Sequence, residues 1–229
     1  GSINLTGARI DDIILKKYRI DLSSNSENVK FFSPSGSDKS YFAEHGWSTN
    51  NNKIELPNSN TVWKSDKSTI SPEQPIVLTW DNGNGLIFKR TITIDNEYMF
   101  SIQQTVINDT SEEVILHPYG LINRTGFPKL SGLFILHEGP IGVLQDRVKE
   151  LDYDDLEDET ISETSETGWI GITDKYWLAA LIPNQKSKFK GRFESNPSGR
   201  DIKFQTSYLG SPITIAANSK ESYSSQFYV

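Results

Sequence analysis

Residues 168–183 read GWIGITDKYWLAALIP, and they surround one Asp-Lys pair with two tryptophans, a tyrosine and a row of aliphatic side chains. β-Branched and aromatic residues favour strands, so this segment predicts two buried strands joined by a tight turn at residues 173–175. We expect Trp169 and Trp177 to be largely buried near the middle of the protein. The segment contains no arrangement of side chains that is typical of catalysis.

The preceding part of the chain has the pattern of an antiparallel meander. Asn82-Gly83 separates a β-rich run at 75–80 from another at 86–94. Asn-Gly is a strong hairpin signal because both residues tolerate positive φ. Apolar and polar residues alternate again in 98–106, as expected for a strand with one buried face.

These strands define the expected fold class. Further strands are predicted at residues 3–14 (with a break at Gly7), 114–116, 130–136, 169–173, 177–182, 202–209 and 222–229. We find no helical periodicity of more than two turns and no linker. The sequence therefore predicts an all-β protein, a large two-sheet antiparallel β-sandwich that forms a single domain over residues 1–229.

Composition and charge exclude several functions. The formal net charge is −7 with no Lys/Arg-rich run, which argues against nucleic acid as a partner and against direct adsorption on anionic lipid. The absence of cysteine excludes disulfides, thiolate catalysis and Cys-ligated zinc. No apolar run reaches the 18 or so residues that a membrane helix requires.

Histidines are the main candidates for catalysis. The chain contains three, His45, His117 and His137. Large β-sandwiches of this kind resemble aldose epimerases (mutarotases), in which two histidines and a C-terminal carboxylate converge in one cleft for acid–base ring opening. His117, His137 and Glu221 are the matching residue types here. A mutarotase-like epimerase or carbohydrate-binding sandwich is thus the alternative reading, and it requires these three residues to share a pocket.

An acidic run occupies residues 150–166 and carries nine carboxylates. An EF-hand loop requires oxygen ligands at alternate positions and a central glycine, but Leu156 occupies the third ligand position and no glycine follows it. We therefore expect a mobile surface segment without a tight metal site.

Three further tryptophans, Trp47, Trp63 and Trp80, are each candidates for lining a carbohydrate or peptide groove. On a β-sandwich such residues belong more often to the core or its rim. We adopt the core interpretation.

Several segments in collinear order resemble the large periplasmic domain of the YidC-type membrane protein insertases of Gram-negative bacteria, in the style of the alphaproteobacterial branch. The matching segments are 7–12, 15–18, 78–83, 85–90, 95–100, 117–122, 137–142 and 168–183. The resemblance implies a β-supersandwich related to galactose mutarotase, on the periplasmic side of the inner membrane.

The resemblance also implies a function. It predicts a non-catalytic accessory domain that acts through protein contacts with nascent inner-membrane proteins and with accessory subunits of the Sec translocon. No family motif maps to a catalytic, cofactor-binding or metal-binding residue of this chain, so we expect none.

Overall fold

The computed structural model describes residues 1–23, 25–127, 137–199 and 201–229. Within them the chain forms nineteen strands and one helical turn. In chain order these are β1 (Ser2–Asn4), β2 (Arg9–Asp12), β3 (Ile14–Arg19), β4 (Asn28–Lys30), β5 (Tyr41–Ser48), β6 (Lys64–Ser65), β7 (Ile76–Asp81), β8 (Leu86–Ile94), β9 (Met99–Asn108), β10 (Val114–Thr125), β11 (Gly139–Leu144), β12 (Arg147–Glu150), α1 (Asp155–Asp158), β13 (Ile161–Ser165), β14 (Gly168–Asp174), β15 (Trp177–Ile182), β16 (Phe189–Ser198), β17 (Asp201–Gly210), β18 (Ile213–Ile215) and β19 (Ser219–Tyr228).

Two large antiparallel sheets make up the molecule. The nine-stranded sheet has the order β12-β11-β14-β15-β19-β9-β8-β7-β6. The other has the order β1-β2-β5-β10-β17-β16-β13, with β18 also paired to β10. A separate two-stranded sheet, β3-β4, pairs with no described strand of either large sheet. The predicted all-β class and antiparallel sandwich are confirmed.

The predicted meander is present as β7-β8-β9. At its first turn Asn82 Oδ1 accepts hydrogen bonds from the backbone of Asn84 (2.8 Å) and Leu86 (3.0 Å). Gly83 has a φ of 71°, in the left-handed region that glycine adopts without steric cost. The Asn-Gly signal therefore placed this turn correctly.

The core lies between the sheets and is rich in aromatic side chains. In the second half of β19 every second side chain is buried, beginning at Tyr223, and Phe227 is fully enclosed against Phe32 and Phe100. Trp47 and Trp63 are also buried, at 4% and 3% exposure, which confirms the core interpretation for both. Trp80 is partly buried and packs on the edge of the core.

Two arginines connect the sheets. Arg90, on β8, is buried and donates hydrogen bonds to the backbone carbonyls of Ala8 (2.8 Å) and His45. Arg124, on β10, pairs with Asp174 on β14 at 2.5 Å. Because both contacts hold groups from one sheet against the other, they fix the stacking of the sheets as well as filling the core.

The segment 168–183 forms the expected strand pair, but its tryptophans do not lie in the centre. Ile170 and Ile172 are fully buried. Successive side chains of a strand point to opposite faces of the sheet, so Trp169 lies on the face opposite these two residues. Trp177 lies on the same face of β15 as the buried side chains. Because it is the first residue of the strand, it contacts only the rim of the core. Both tryptophans are half-buried, and the prediction of largely buried tryptophans was wrong. The turn lies at Lys175-Tyr176, one residue later than expected.

The acidic run also differs from the prediction of a mobile surface loop. It contains α1 and β13, and Tyr153 and Leu156 are buried in the core. Apolar side chains at these two positions fix the segment to the sandwich, although most of its carboxylates remain exposed. The strand predicted at 130–136 lies outside the described residues.

Candidate functional site: an aromatic pocket

A pocket of about 470 Å³ lies where the β8-β9 turn, the β14-β15 turn and the end of β19 meet the face of β3. Aromatic side chains from all four elements contribute. The lining residues are Leu15, Tyr18, Arg19, Glu97, Tyr98, Tyr176, Trp177, Leu178, Tyr228 and Val229. We call this the aromatic pocket.

The β3-β4 sheet forms one wall of the aromatic pocket. Tyr18 packs edge-to-face on Trp177, with ring centroids 5.0 Å apart and an interplanar angle of 76°. Leu15 anchors the strand because it is buried at 2% exposure. The hairpin is therefore held to the sandwich by side chains, since it shares no strand ladder with either large sheet.

The charged groups at the mouth of the pocket are already engaged. Lys17 Nζ lies 3.0 Å from Glu97 Oε1 and donates to the Asn96 carbonyl at the same distance. The hydrogen bond to Glu97 raises the pKa of Lys17. Tyr176 is 72% exposed, and the ammonium of Lys175 lies 5.2 Å from its ring centroid. The pocket thus offers aromatic faces with a polar rim, a composition suited to binding.

The candidate catalytic residues occupy separate places. His117 Nδ1 donates to the Gly210 carbonyl (3.2 Å) and lines a different pocket, of about 530 Å³, which contains neither His137 nor Glu221. His137 Nε2 donates to the Pro140 carbonyl (3.1 Å). Glu221 is exposed on β19, opposite Val106. The arrangement that acid–base ring opening requires is not formed by these three residues.

His45 is the histidine with the most unusual environment. It is 3% exposed and lies beside the Arg90 guanidinium between the sheets. Burial, and secondarily the charge of Arg90, lower its pKa to about 3. Its ring is therefore neutral at physiological pH and belongs to the core.

Among the described residues, no three His, Asp or Glu side chains are grouped so that they could hold a metal ion. In the acidic run, Glu163 pairs with Lys149 (2.8 Å) and Arg147 (3.6 Å). A search of the described helices for one long and apolar enough to cross a membrane finds none.

We expect the acidic run to bind calcium no more tightly than about 1 mM, the weak end of the range for such sites. Leu156 interrupts the alternating carboxylates, no glycine follows it in the run, and Glu163 is already neutralised by two cations. Isothermal titration calorimetry with calcium, against magnesium as the control ion, measures this. A micromolar dissociation constant would contradict the prediction.

Sequence reasoning missed the aromatic pocket because its members are scattered along the chain. A local signal existed in Tyr176, a large aromatic residue in an otherwise polar turn. A second was Tyr98, an aromatic residue directly after the polar turn residues 95–97.

The fold defines a class of protein. A galactose mutarotase-like protein from Lactobacillus casei superposes with a TM-score of 0.60 at 9% identity, covering 99% of this chain and 95% of the other. A galactose mutarotase related enzyme from Lactobacillus acidophilus superposes with a TM-score of 0.54 at 8% identity, covering 74% and 71%. The chain is thus a galactose-mutarotase-like β-sandwich, and at this identity the likeness concerns the fold alone.

Sequence comparison identifies the family. The model of the YidC periplasmic domain matches residues 1–229, and the chain belongs to this family. The membrane protein insertase YidC of Rickettsia prowazekii is 45% identical over 217 residues, and that of Rickettsia akari is equally similar. These matches cover 94% of this chain and 39% of each relative, so the chain spans about two fifths of their length. The expected family and its alphaproteobacterial branch are confirmed.

Proposed function

We propose that residues 1–229 form a single, non-catalytic accessory domain of a membrane protein insertase, on the periplasmic side of the inner membrane. The domain aids the insertion and folding of inner-membrane proteins through protein contacts. The observation that carries the proposal is the aromatic pocket, which offers a built surface for binding. Family membership supports the insertase context.

The aromatic pocket suits an extended polypeptide. Tyrosine and tryptophan present large contact areas and lose little conformational entropy on binding. The volume of about 470 Å³ accommodates one or two side chains, which matches weak and reversible contact. The partners we propose are nascent inner-membrane proteins and accessory subunits of the Sec translocon.

Photo-crosslinking in the full-length insertase tests this proposal. A photoreactive amino acid in place of Tyr176 is expected to cross-link to a nascent membrane protein or to a Sec accessory subunit. The same substitution at Val148 is the control, because that residue is similarly exposed (65%) but lies on β12, away from the pocket. Equal cross-linking at both positions, or none at Tyr176, would contradict the proposed contact.

The fold likeness favours one alternative, a mutarotase-like sugar epimerase. We expect no acceleration of glucose or galactose mutarotation over the uncatalysed rate, because His117 and His137 bond to different backbone carbonyls and Glu221 is exposed on β19. Polarimetry measures the rate, with His117→Gln and His137→Gln variants as controls. An acceleration that either substitution abolishes would establish the alternative.

A further inference from the structure

Exposed apolar side chains are concentrated on the β3 hairpin and the adjoining rim of the aromatic pocket. Twelve large hydrophobic side chains of the described residues are exposed, and six of them belong to the β3 hairpin or to the adjoining rim of the aromatic pocket. These six are Ile14, Tyr18, Ile20, Leu22, Tyr176 and Tyr228. Such clustering marks an interaction surface, whereas isolated exposed apolar residues do not.

Two of the six side chains protrude from the fold just after β3. Ile20 and Leu22 follow β3 directly and are 65% and 106% exposed, so neighbouring groups shield Leu22 from solvent no more than in an extended chain. We call these two residues the apolar tip. Because the apolar tip protrudes, its side chains can insert into an apolar layer. A groove, by contrast, is suited to receiving a peptide.

Hydrogen bonds hold the apolar tip in this position. The backbone N–H of Ile20 donates to the Glu27 carbonyl (3.0 Å), and Arg19 Nη1 donates to the Ser26 carbonyl (2.5 Å). Asp21 Oδ1 accepts from the backbone of Ser23 (2.8 Å), which engages the carboxylate nearest the tip. The backbone and side-chain groups next to the apolar side chains are therefore hydrogen-bonded at residues 19, 20 and 21.

Cations outnumber carboxylates beside this apolar surface. Lys16, Lys17 and Arg19 lie on β3 and Lys175 lies on the β14-β15 turn, against the carboxylates of Asp21, Glu27 and Glu97, of which Glu97 is paired with Lys17. Apolar side chains at the centre, tyrosines and a tryptophan beside them, and basic residues around them are the composition of a protein surface at the interface of an anionic membrane.

We propose that the apolar tip and the adjoining basic and aromatic rim dock on the surface of an anionic lipid bilayer. Ile20 and Leu22 enter the boundary between headgroups and acyl chains, and Lys16 and Arg19 face the lipid phosphates. The net charge of −7 does not oppose this local contact, because charges farther away than the Debye length of about 8 Å at physiological salt are largely screened. The acidic composition predicted the opposite behaviour, since it averages over the whole surface.

Site-specific fluorescence tests the insertion. The chain contains no cysteine, so Leu22→Cys carries a single nitrobenzoxadiazole label. Vesicles of phosphatidylglycerol and phosphatidylethanolamine are expected to shift its emission to the blue, and nitroxide lipids in the bilayer are expected to quench it. The same label at Val148→Cys, on a similarly exposed side chain, stays in water. Identical responses at the two positions would overturn the proposal.

A partition measurement provides the second test. In flotation with the same vesicles, the Ile20→Ser/Leu22→Ser variant is expected to lose binding by about tenfold or more, because burial of each side chain favours the bound state. The matched control is Val62→Ser/Val148→Ser, which removes two apolar side chains of 66% and 65% exposure elsewhere. Pure phosphatidylcholine vesicles are expected to bind the unsubstituted chain more weakly.

The proposal fails if the unsubstituted chain does not bind the anionic vesicles, or if both double variants bind equally. It also fails if a label at position 22 responds to a protein partner and not to lipid. Cross-linking at Tyr176 is a separate readout, so its failure would remove the proposed protein contact and leave the lipid contact standing.

Discussion

Replacing Phe227 with Ala is expected to destabilise the protein by about 3–5 kcal/mol, the range for removing a buried aromatic side chain. Phe227 is fully buried on β19, and its ring lies 5.8 Å from the centroids of both Phe32 and Phe100. The cavity would lie between the two sheets, where closely packed neighbours relax only in part. Urea denaturation followed by tryptophan fluorescence measures the loss.

The neighbouring residue provides the control. Tyr228 lies on the opposite face of β19 and is 37% exposed, so Tyr228→Ala is expected to cost about 1 kcal/mol. Trp169 and Trp177 also keep contact with water, so their truncation is expected to cost less than that of Phe227. Equal losses for Phe227→Ala and Tyr228→Ala would contradict the assignment of the core.

Acidification is expected to destabilise the protein through His45. The pKa of His45 is lowered to about 3 by burial, and secondarily by the charge of Arg90, whereas the ordinary value of 6.5 applies to the unfolded chain. Between these values the unfolded state binds a proton that the folded state does not. The neutral ring therefore makes its full contribution to stability above pH 6.5, and this contribution is lost progressively as the pH falls toward 3. At pH 5 the loss is about 2 kcal/mol.

Denaturation midpoints at pH 7 and pH 5 measure this effect. In the His45→Gln variant, the part of the stability change between pH 7 and pH 5 that comes from His45 is expected to disappear, whatever the absolute stability of the variant. His117→Gln is the matched control and should keep it, because this substitution leaves His45 in place. If His45→Gln and the unsubstituted chain lose the same stability on acidification, then His45 is not the group responsible.

The buried cation of Arg90 helps to keep His45 neutral. Its guanidinium stays buried because two backbone carbonyls accept from it and the Trp63 ring lies 5.0 Å from its carbon. Burial lowers the pKa of Arg90 to about 10, which still leaves it charged at neutral pH. A second positive charge on His45 would face this cation in a medium of low dielectric constant.

The sequence alone determined the local elements. Period-two alternation in 86–94 and the Asn82-Gly83 turn specified β8 and its hairpin, because these signals depend on neighbouring residues only. The same reasoning placed the strand pair of 168–183, and collinear motifs indicated the family. Trp47 and Trp63 were correctly read as core residues, since large aromatic residues gain most from burial.

Tertiary structure alone decided how deep each side chain lies and which distant residues meet. Alternation shows which side chains of β14 share a face of the sheet, but it does not show which face packs on the other sheet. Trp169 was therefore placed on the wrong face. The aromatic pocket joins Tyr18, Tyr98, Tyr176 and Tyr228, which lie far apart in the chain and meet only through strand order. His117, His137 and Glu221 looked like a set by residue type, yet the histidines bond to different backbone carbonyls and Glu221 lies on β19, opposite Val106. Propensity acts over a few residues, whereas a site depends on which strands become neighbours, and the packing of the two sheets decides that.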